Sequence, residues 1–336
     1  MKPMRFTGTI NNPEIVVTPP CNNRGMAATT EPRNLVEAIR YFSDPDRAFD
    51  FVLKLRWADG NVTCPRCEHA EVSFLSTRRI WKCKGCKKQF SLKVGTIFED
   101  SPLGWDKWLP AVWLIANSKN SISSHELARS LGVTQKSAWF MLHRIRDAMT
   151  TGTFQKMSGI TEVDDTFIGG LAKNMHRKAH KQKIHGTGGI DKMIVQGARN
   201  RDTGTVTATV IDGTDTATIQ EHIYEWVERG SAVFTDTHKS YDGLDADYAV
   251  KQVNHSRGEY VSGDVHTNGI ENYWSLLKRS IKGTQIHVSP DHLDRYVTER
   301  TFAYNNRQSS DLDRMRAAVA GTTGRRLTWA DLTGAP

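Results

Sequence analysis

Apolar residues recur with a helical period only after about residue 30. Before that, Asn11-Asn12-Pro13, Pro19-Pro20 and Asn22-Asn23 break any pattern, so residues 1–30 read as a disordered tail, with Met26 as an alternative start. Leu35, Ile39 and Phe42, then Phe49, Val52 and Leu55 after Asp44-Pro45, predict two short helices within 31–60. Over 61–98 the pattern shortens to strand-like pieces at 71–75, 80–83 and 89–93. Three helices are predicted over 99–150, with a break at Gly132. From 157 to 307 strands alternate with helices, and 308–336 reads as a weakly structured C-terminal tail. No internal repeat with a solenoid period is present.

Composition narrows the class. With 336 residues, 38% hydrophobic and 24% charged, the chain has material for two to three cores, which excludes a mainly disordered protein. The longest apolar run, Leu109 to Ala116, is far shorter than the roughly 20 residues of a membrane-spanning helix. Ile15-Val16-Val17 is too short for the centre of a secretory signal. The expectation is a soluble, cytoplasmic protein. Forty-five Lys and Arg against 37 Asp and Glu give +8, a balance that favours a polyanionic partner without proving one.

Four of the five cysteines form two close pairs, Cys64/Cys67 and Cys83/Cys86, separated by residues 68–82. Each CxxC turn presents two thiolates, and two such knuckles at this spacing close a tetrahedral four-sulfur zinc site. Four thiolates leave no open position, so the zinc is expected to be structural. A redox pair explains one CxxC but not the second. Lys82, Lys84, Lys87 and Lys88 make the module basic.

Leu127, Ala128 and Leu131 share one side of a helix that starts at Ser124, Gly132-Val133-Thr134 supplies a turn, and Thr134 is placed to cap a second helix from Gln135 to Met149. This matches a helix-turn-helix, whose second helix enters the DNA major groove. On that expectation Gln135, Lys136 and Ser137 meet base edges, while Arg144 and Arg146 meet phosphates. A plain helical hairpin has the same pattern.

Beyond residue 157 the order is three strands, a helix, then further strands and helices, as in a ribonuclease-H-like α/β domain with a mixed five-stranded sheet flanked by helices. Asp164 lies in the first strand, opposite Val163 and Phe167. Asp236 ends the strand after the first helix, and parallel pairing of the two strands sets it beside Asp164. Glu271 lies on a late helix, off its Ile270/Trp274/Leu277 stripe. Three carboxylates gathered in one place repel unless cations hold them, and hard oxygen ligands suit Mg²⁺ or Mn²⁺. Two such ions clamp a phosphodiester for in-line displacement without any protein nucleophile. Lys278, two turns beyond Glu271, is placed to meet a neighbouring phosphate. A one-residue slip in strand register substitutes Asp165 for Asp164. Asn268 reads as a helix cap, with His266 near Glu271. Lys173, Arg177, Lys178, Lys181 and Lys183 form a basic loop that is either a DNA contact or simply solvated, and His176, His180 and His185 are a second, weaker metal candidate.

Taken in order, Cys-Pro-x-Cys, Trp-Lys-Cys-x-x-Cys, Gln-Phe-Ser, Gly-Thr-Ile-Phe-Glu-Asp-Ser, Glu-Val-Asp-Asp-Thr-Phe-Ile-Gly-Gly, Thr-Asp and His-Thr-Asn-Gly-Ile-Glu-Asn-Tyr-Trp-Ser-Leu-Leu-Lys-Arg resemble the motifs of bacterial insertion-sequence transposases of the zinc-ribbon DDE type, the ISXO-like group. The resemblance covers about residues 34–307. It implies a ribonuclease-H-like catalytic domain with its acid triad on Asp164, Asp236 and Glu271 and the trailing basic residue on Lys278. It also implies binding to double-stranded DNA at terminal inverted repeats and at target sites, and work as a homodimer or larger assembly. The family usually has Glu after its first catalytic Asp, where this chain has Asp165. The expected activity is metal-dependent strand cleavage and strand transfer. A non-catalytic DNA-binding regulator and a nuclease using the same metal site are the alternatives.

Overall fold

The computed structural model describes residues 31–150, 155–169, 192–253 and 265–334. The basic loop at 173–185, with its three histidines, and the tail at 1–30 lie outside the described residues.

The N-terminal part is built on local signals that agree with packing. Asn34 and Asp44 cap α1 (Leu35–Phe42) and α2 (Pro45–Arg56) by accepting from backbone N–H groups of the first turn. Pro45 occupies the first turn of α2, where its missing N–H costs nothing. Three short antiparallel strands, β1 (Val72–Leu75), β2 (Ile80–Cys83) and β3 (Gln89–Ser91), form the ribbon. Trp81 of β2 stacks between Phe49 of α2 and Phe90 of β3, with ring centroids 5.7 Å apart in each pair. That stack ties the ribbon to the helices.

The apolar run at 109–116 lies in α3 (Trp105–Asn117), which is buried over most of its surface. α4 (Ser124–Leu131) ends at Gly132, whose φ of 64° is the left-handed conformation glycine adopts without strain. Thr134 then accepts from the Ser137 N–H to start α5 (Gln135–Ala148).

The second part is a five-stranded mixed sheet. β4 (Ile160–Ile168), β5 (Met193–Asn200) and β6 (Val206–Ile211) pair antiparallel. After α6 (Thr216–Trp226), β7 (Ala232–Asp236) and β8 (Ala249–Val253) add in parallel beside β4, giving the order β6-β5-β4-β7-β8. α6 covers one face, where Val163, Ala198, Val233, Ile219 and Ile223 are buried together. α7 (Asn268–Ser280) and α8 (Leu293–Asn305) cover the other, burying Val195, Val206, Ile270, Trp274 and Leu277.

The expected weak tail at 308–336 is not what the structure shows. Ser310 caps α9 (Asp311–Ala320), and α10 (Trp329–Thr333) carries a full capping box. Leu312, Met315, Ala318 and Val319 of α9 enter the same core as α1–α5 and the ribbon. The N-terminal part is therefore completed by the far end of the chain. Among the described residues no helix is long and apolar enough to cross a membrane.

Candidate functional site

In the ribbon, the Cys64 and Cys86 sulfurs lie 3.8 Å apart and those of Cys67 and Cys83 lie 3.7 Å apart. Tetrahedral ligands at Zn–S distances of about 2.3 Å require sulfur–sulfur separations of roughly 3.8 Å, whereas a disulfide needs about 2.05 Å. All four donor atoms fall within 4.8 Å of one another. The thiol set and its spacing thus fit a structural zinc. Cys64 and Cys83 are fully buried within the N-terminal core, which makes the knuckles part of that core.

The start of α5 presents Gln135 and Lys136 to solvent, with Ser137 part-exposed. Gln135 donates to Ser124 Oγ at 2.9 Å, linking α5 back to α4, and the Lys136 ammonium lies 4.4 Å from the Trp329 ring centroid. The two arginines expected at phosphates are elsewhere. Arg144 is buried and donates to the carbonyls of Leu327, Ile97 and Glu99 at 3.0, 2.9 and 2.9 Å. Arg146 is 1% exposed and pairs with Glu299 of α8 at 2.6 Å. Both charges are spent inside the protein, so neither faces DNA. The cause is the setting of α5, which is enclosed on every side from Met141 to Arg146.

Sheet register governs the placing of two of the three acids, Asp164 and Asp236. β4 and β7 pair with Ile160 opposite Ala232, Thr161 opposite Val233 and Glu162 opposite Phe234. Continued two steps past the last of these pairs, the register would set Asp164 level with Asp236, and the two are near enough for the Asp236 charge to raise the Asp164 carboxyl. Period-two alternation sets faces. Val163 and Val233 pack against α6, so Asp164 and Asp236 belong to the α7 face, while Asp165 belongs to the α6 face near Tyr241 and His238. On the α7 face the Trp274 indole N–H donates to Asp164 Oδ2 at 2.9 Å. The indole reaches that position because Gly197, opposite Asp164 on β5, has no side chain. A Cβ there would lie 2.6 Å from Trp274 Cη2.

Burial, followed by the charges of Asp165 and Asp236, pushes the Asp164 carboxyl up to about 8. Burial and Asp236 also raise Asp165, with His238 acting in the opposite direction. Repulsion of this kind is what a bound cation relieves, and the donor set of hard oxygens fits Mg²⁺ or Mn²⁺. Lys278 lies within electrostatic reach of Asp164; burial and Lys282 pull its ammonium below the ordinary lysine range. Glu271, one turn before Trp274 on α7, accepts from Thr267 Oγ1 at 3.1 Å. Among the described residues the four cysteines alone have three or more donor atoms within 4.8 Å of one another, so the three acids are less tightly gathered than the thiols.

One residue near the acids escaped the sequence reading. Glu162 is fully buried, and its Oε2 accepts from the Ile270 N–H at 2.8 Å, capping α7 from another element. Asn268, expected as the cap, is instead the exposed first residue of α7, and Thr267 precedes it without a side-chain cap bond. An acid placed between Thr161 and Val163 in a buried strand, opposite Arg199, was the available signal.

Comparison with known proteins agrees with this architecture. The ISXO2-like transposase domain matches residues 156–305 and the transposase zinc-ribbon domain matches 43–89. A protein in transposable element ISH50 of Halobacterium salinarum is 28% identical over 270 residues, covering 77% of this chain and 90% of its own length. A transposase-like protein of Haemophilus influenzae is 30% identical over 115 residues, covering 34% of this chain and 92% of its own length. With a four-cysteine ribbon ahead of a mixed five-stranded sheet and both family domains matched in that order, the chain belongs to the ISXO2-like transposases.

Proposed function

We propose that this protein cuts and joins DNA at the ends of an insertion sequence, using Asp164, Asp236 and Glu271 as ligands for divalent metal ions. The observation that carries the proposal is the parallel register of β4 and β7, whose 72-residue offset equals the spacing of Asp164 and Asp236 and supports their sharing the face covered by α7. Strand order, with three antiparallel strands, a helix and two parallel strands, supports a ribonuclease-H-like domain. Asp164 rather than Asp165 is the first acid on this proposal, because only Asp164 shares a face with α7.

Mg²⁺ or Mn²⁺ bound at these acids would lower the pKa of an attacking water or 3′-hydroxyl and stabilise the departing oxygen. The chain's own residues do the rest. Trp274 holds one oxygen of Asp164 in place by its indole N–H. Thr267 orients the Glu271 carboxylate. Lys278 holds a phosphate beside the reacting one. The ribbon and the α4–α5 pair, as a helix-turn-helix, grip duplex DNA through Gln135, Lys136 and Ser137, with a second copy of the chain on the other element end.

The test uses labelled duplexes carrying the element's inverted repeats, with Mg²⁺ or Mn²⁺. Nicked ends and products joined to target DNA are expected, with Asp236→Ala slower on the order of 10³-fold or more. Full activity in Asp236→Ala removes that residue from the mechanism. Hydrolysis without joined strands indicates a nuclease at the same site, and sequence-specific binding without cleavage indicates a regulator.

A further inference from the structure

A buried ion cluster beneath the acids touches every element that carries one of them. Glu162 sits two residues before Asp164 on the same face of β4, and its Oε1 accepts from Arg201 Nε at 2.8 Å, with Arg199 Nη1 at 3.5 Å. Its Oε2 accepts from the N–H of Ile270, the residue before Glu271. The guanidinium of Arg201 lies 4.6 Å from the ring centroid of Phe234, two residues before Asp236, and its Nη2 donates to the His266 carbonyl at 2.6 Å, just ahead of α7. Arg199 Nε reaches Tyr304 Oη of α8 at 3.4 Å. Space for the cluster depends on Gly269: a Cβ there would lie 2.6 Å from Glu162 Oε2 and closer still to the Arg199 guanidinium.

From this juxtaposition we infer that Glu162 is a positioning residue, pegging the start of α7 to β4 and β7 so that Glu271 is presented to Asp164 and Asp236. The inference rests on the proposed metal-dependent chemistry for its purpose, though the peg itself is a matter of structure. A carboxylate with no exposure needs paired donors to persist, and here those donors are the first turn of the helix that carries Glu271, Arg199 of β5 and Arg201 just past the end of that strand. The positive end of the helix adds to the attraction. Helix start and strand are thus held at one point, and Glu271 follows that point by a single residue. Displacement of a catalytic group by about 1 Å is enough to cost roughly a hundredfold in rate.

The test combines Glu162→Ala, Glu162→Gln and Gly269→Ala in the full chain, with folding checked by circular dichroism. Glu162→Ala is expected to slow cleavage at saturating DNA by about a hundredfold and to raise the Mg²⁺ concentration for half-maximal rate about tenfold, with DNA-end affinity unchanged. Glu162→Gln keeps an acceptor for Ile270 and recovers about tenfold of the loss. Gly269→Ala, which removes no ionised group but crowds Glu162 and Arg199, reproduces the metal and rate defect. Amide hydrogen exchange of 268–272 quickens about tenfold in Glu162→Ala while that of α3 is unchanged. Wild-type rate and exchange in Glu162→Ala and Gly269→Ala overturn the inference. So does a uniform fall in stability and DNA affinity with no change in metal requirement. A wild-type protein that cleaves nothing refutes the proposed chemistry, and the exchange measurement still decides whether Glu162 holds the helix.

Discussion

The cysteine ribbon and the proposed carboxylate site draw their donors from the chain in opposite ways. The ribbon's four sulfurs come from residues 64–86, two knuckles joined by a hairpin, and all lie within 4.8 Å. The acids span 164 to 271, come from two strands and a helix, and are more widely set. Thiolates packed as four ligands make a closed structural centre. Carboxylates set close enough to repel, one of them pushed up to about 8, are instead a donor set that a cation would relieve. A local site is specified by spacing alone, whereas a dispersed one needs sheet register and buried supports such as Glu162.

That contrast is most strongly challenged at the ribbon. Cys83→Ser removes a fully buried ligand from the N-terminal core. Loss of about 3 kcal/mol or more is expected, with DNA binding abolished; calorimetry and a gel-shift assay measure both. Stripping the metal with a chelator should reproduce the effect, and an unaffected melting temperature would separate the ribbon from the core.

Gly197→Ala probes the dispersed site without touching an acid. The new methyl pushes Trp274 away from Asp164, and a loss of about 30-fold in cleavage rate is expected, with DNA binding intact. Equal rates for variant and wild type would mean that the indole bond does not orient Asp164.

A smaller effect concerns stability. The Asp164 carboxyl titrates near 3.8 when unfolded and about 8 when folded. Between those pH values the folded state holds the extra proton, so stability falls as pH rises through that window. Asp164→Asn cannot ionise. Its melting temperature in metal-free buffer should match wild type near pH 4 and exceed it by about 3 °C or more at pH 8. Added Mg²⁺ should narrow the gap by stabilising only the wild type. A gap independent of pH would argue against repulsion as the source of the raised value.

The smallest effect is expected at the outer end of α5. Lys136→Ala should weaken end binding by about threefold to tenfold and lower its salt dependence by about one counterion, measured by titration at several salt concentrations.

Much of this was legible in the sequence because the signals are local. Paired CxxC units, Gly132 with Thr134, and the alternation around Asp164 each state their own geometry. The strands at 80–83 and 249–253 fall where periodicity set them. What was not legible depends on distant partners. Arg144 and Arg146 look like surface charges until α8 and the segment around Leu327 enclose them. The buried positions of α9 are only four, one of them an alanine, a weak signal, and their significance comes from a core formed some 200 residues earlier in the chain. Gly197 is an ordinary strand glycine until Trp274 is laid across it.

The contribution of α9 to the first core also bears on how the protein is made. A ribosome delivers α1 to α5 and the ribbon long before Leu312, Met315, Ala318 and Val319 emerge. The nascent N-terminal elements therefore stay incompletely packed until α9 has been made. A chain that stops short of α9 leaves this first core open, so the N-terminal elements cannot finish packing on their own.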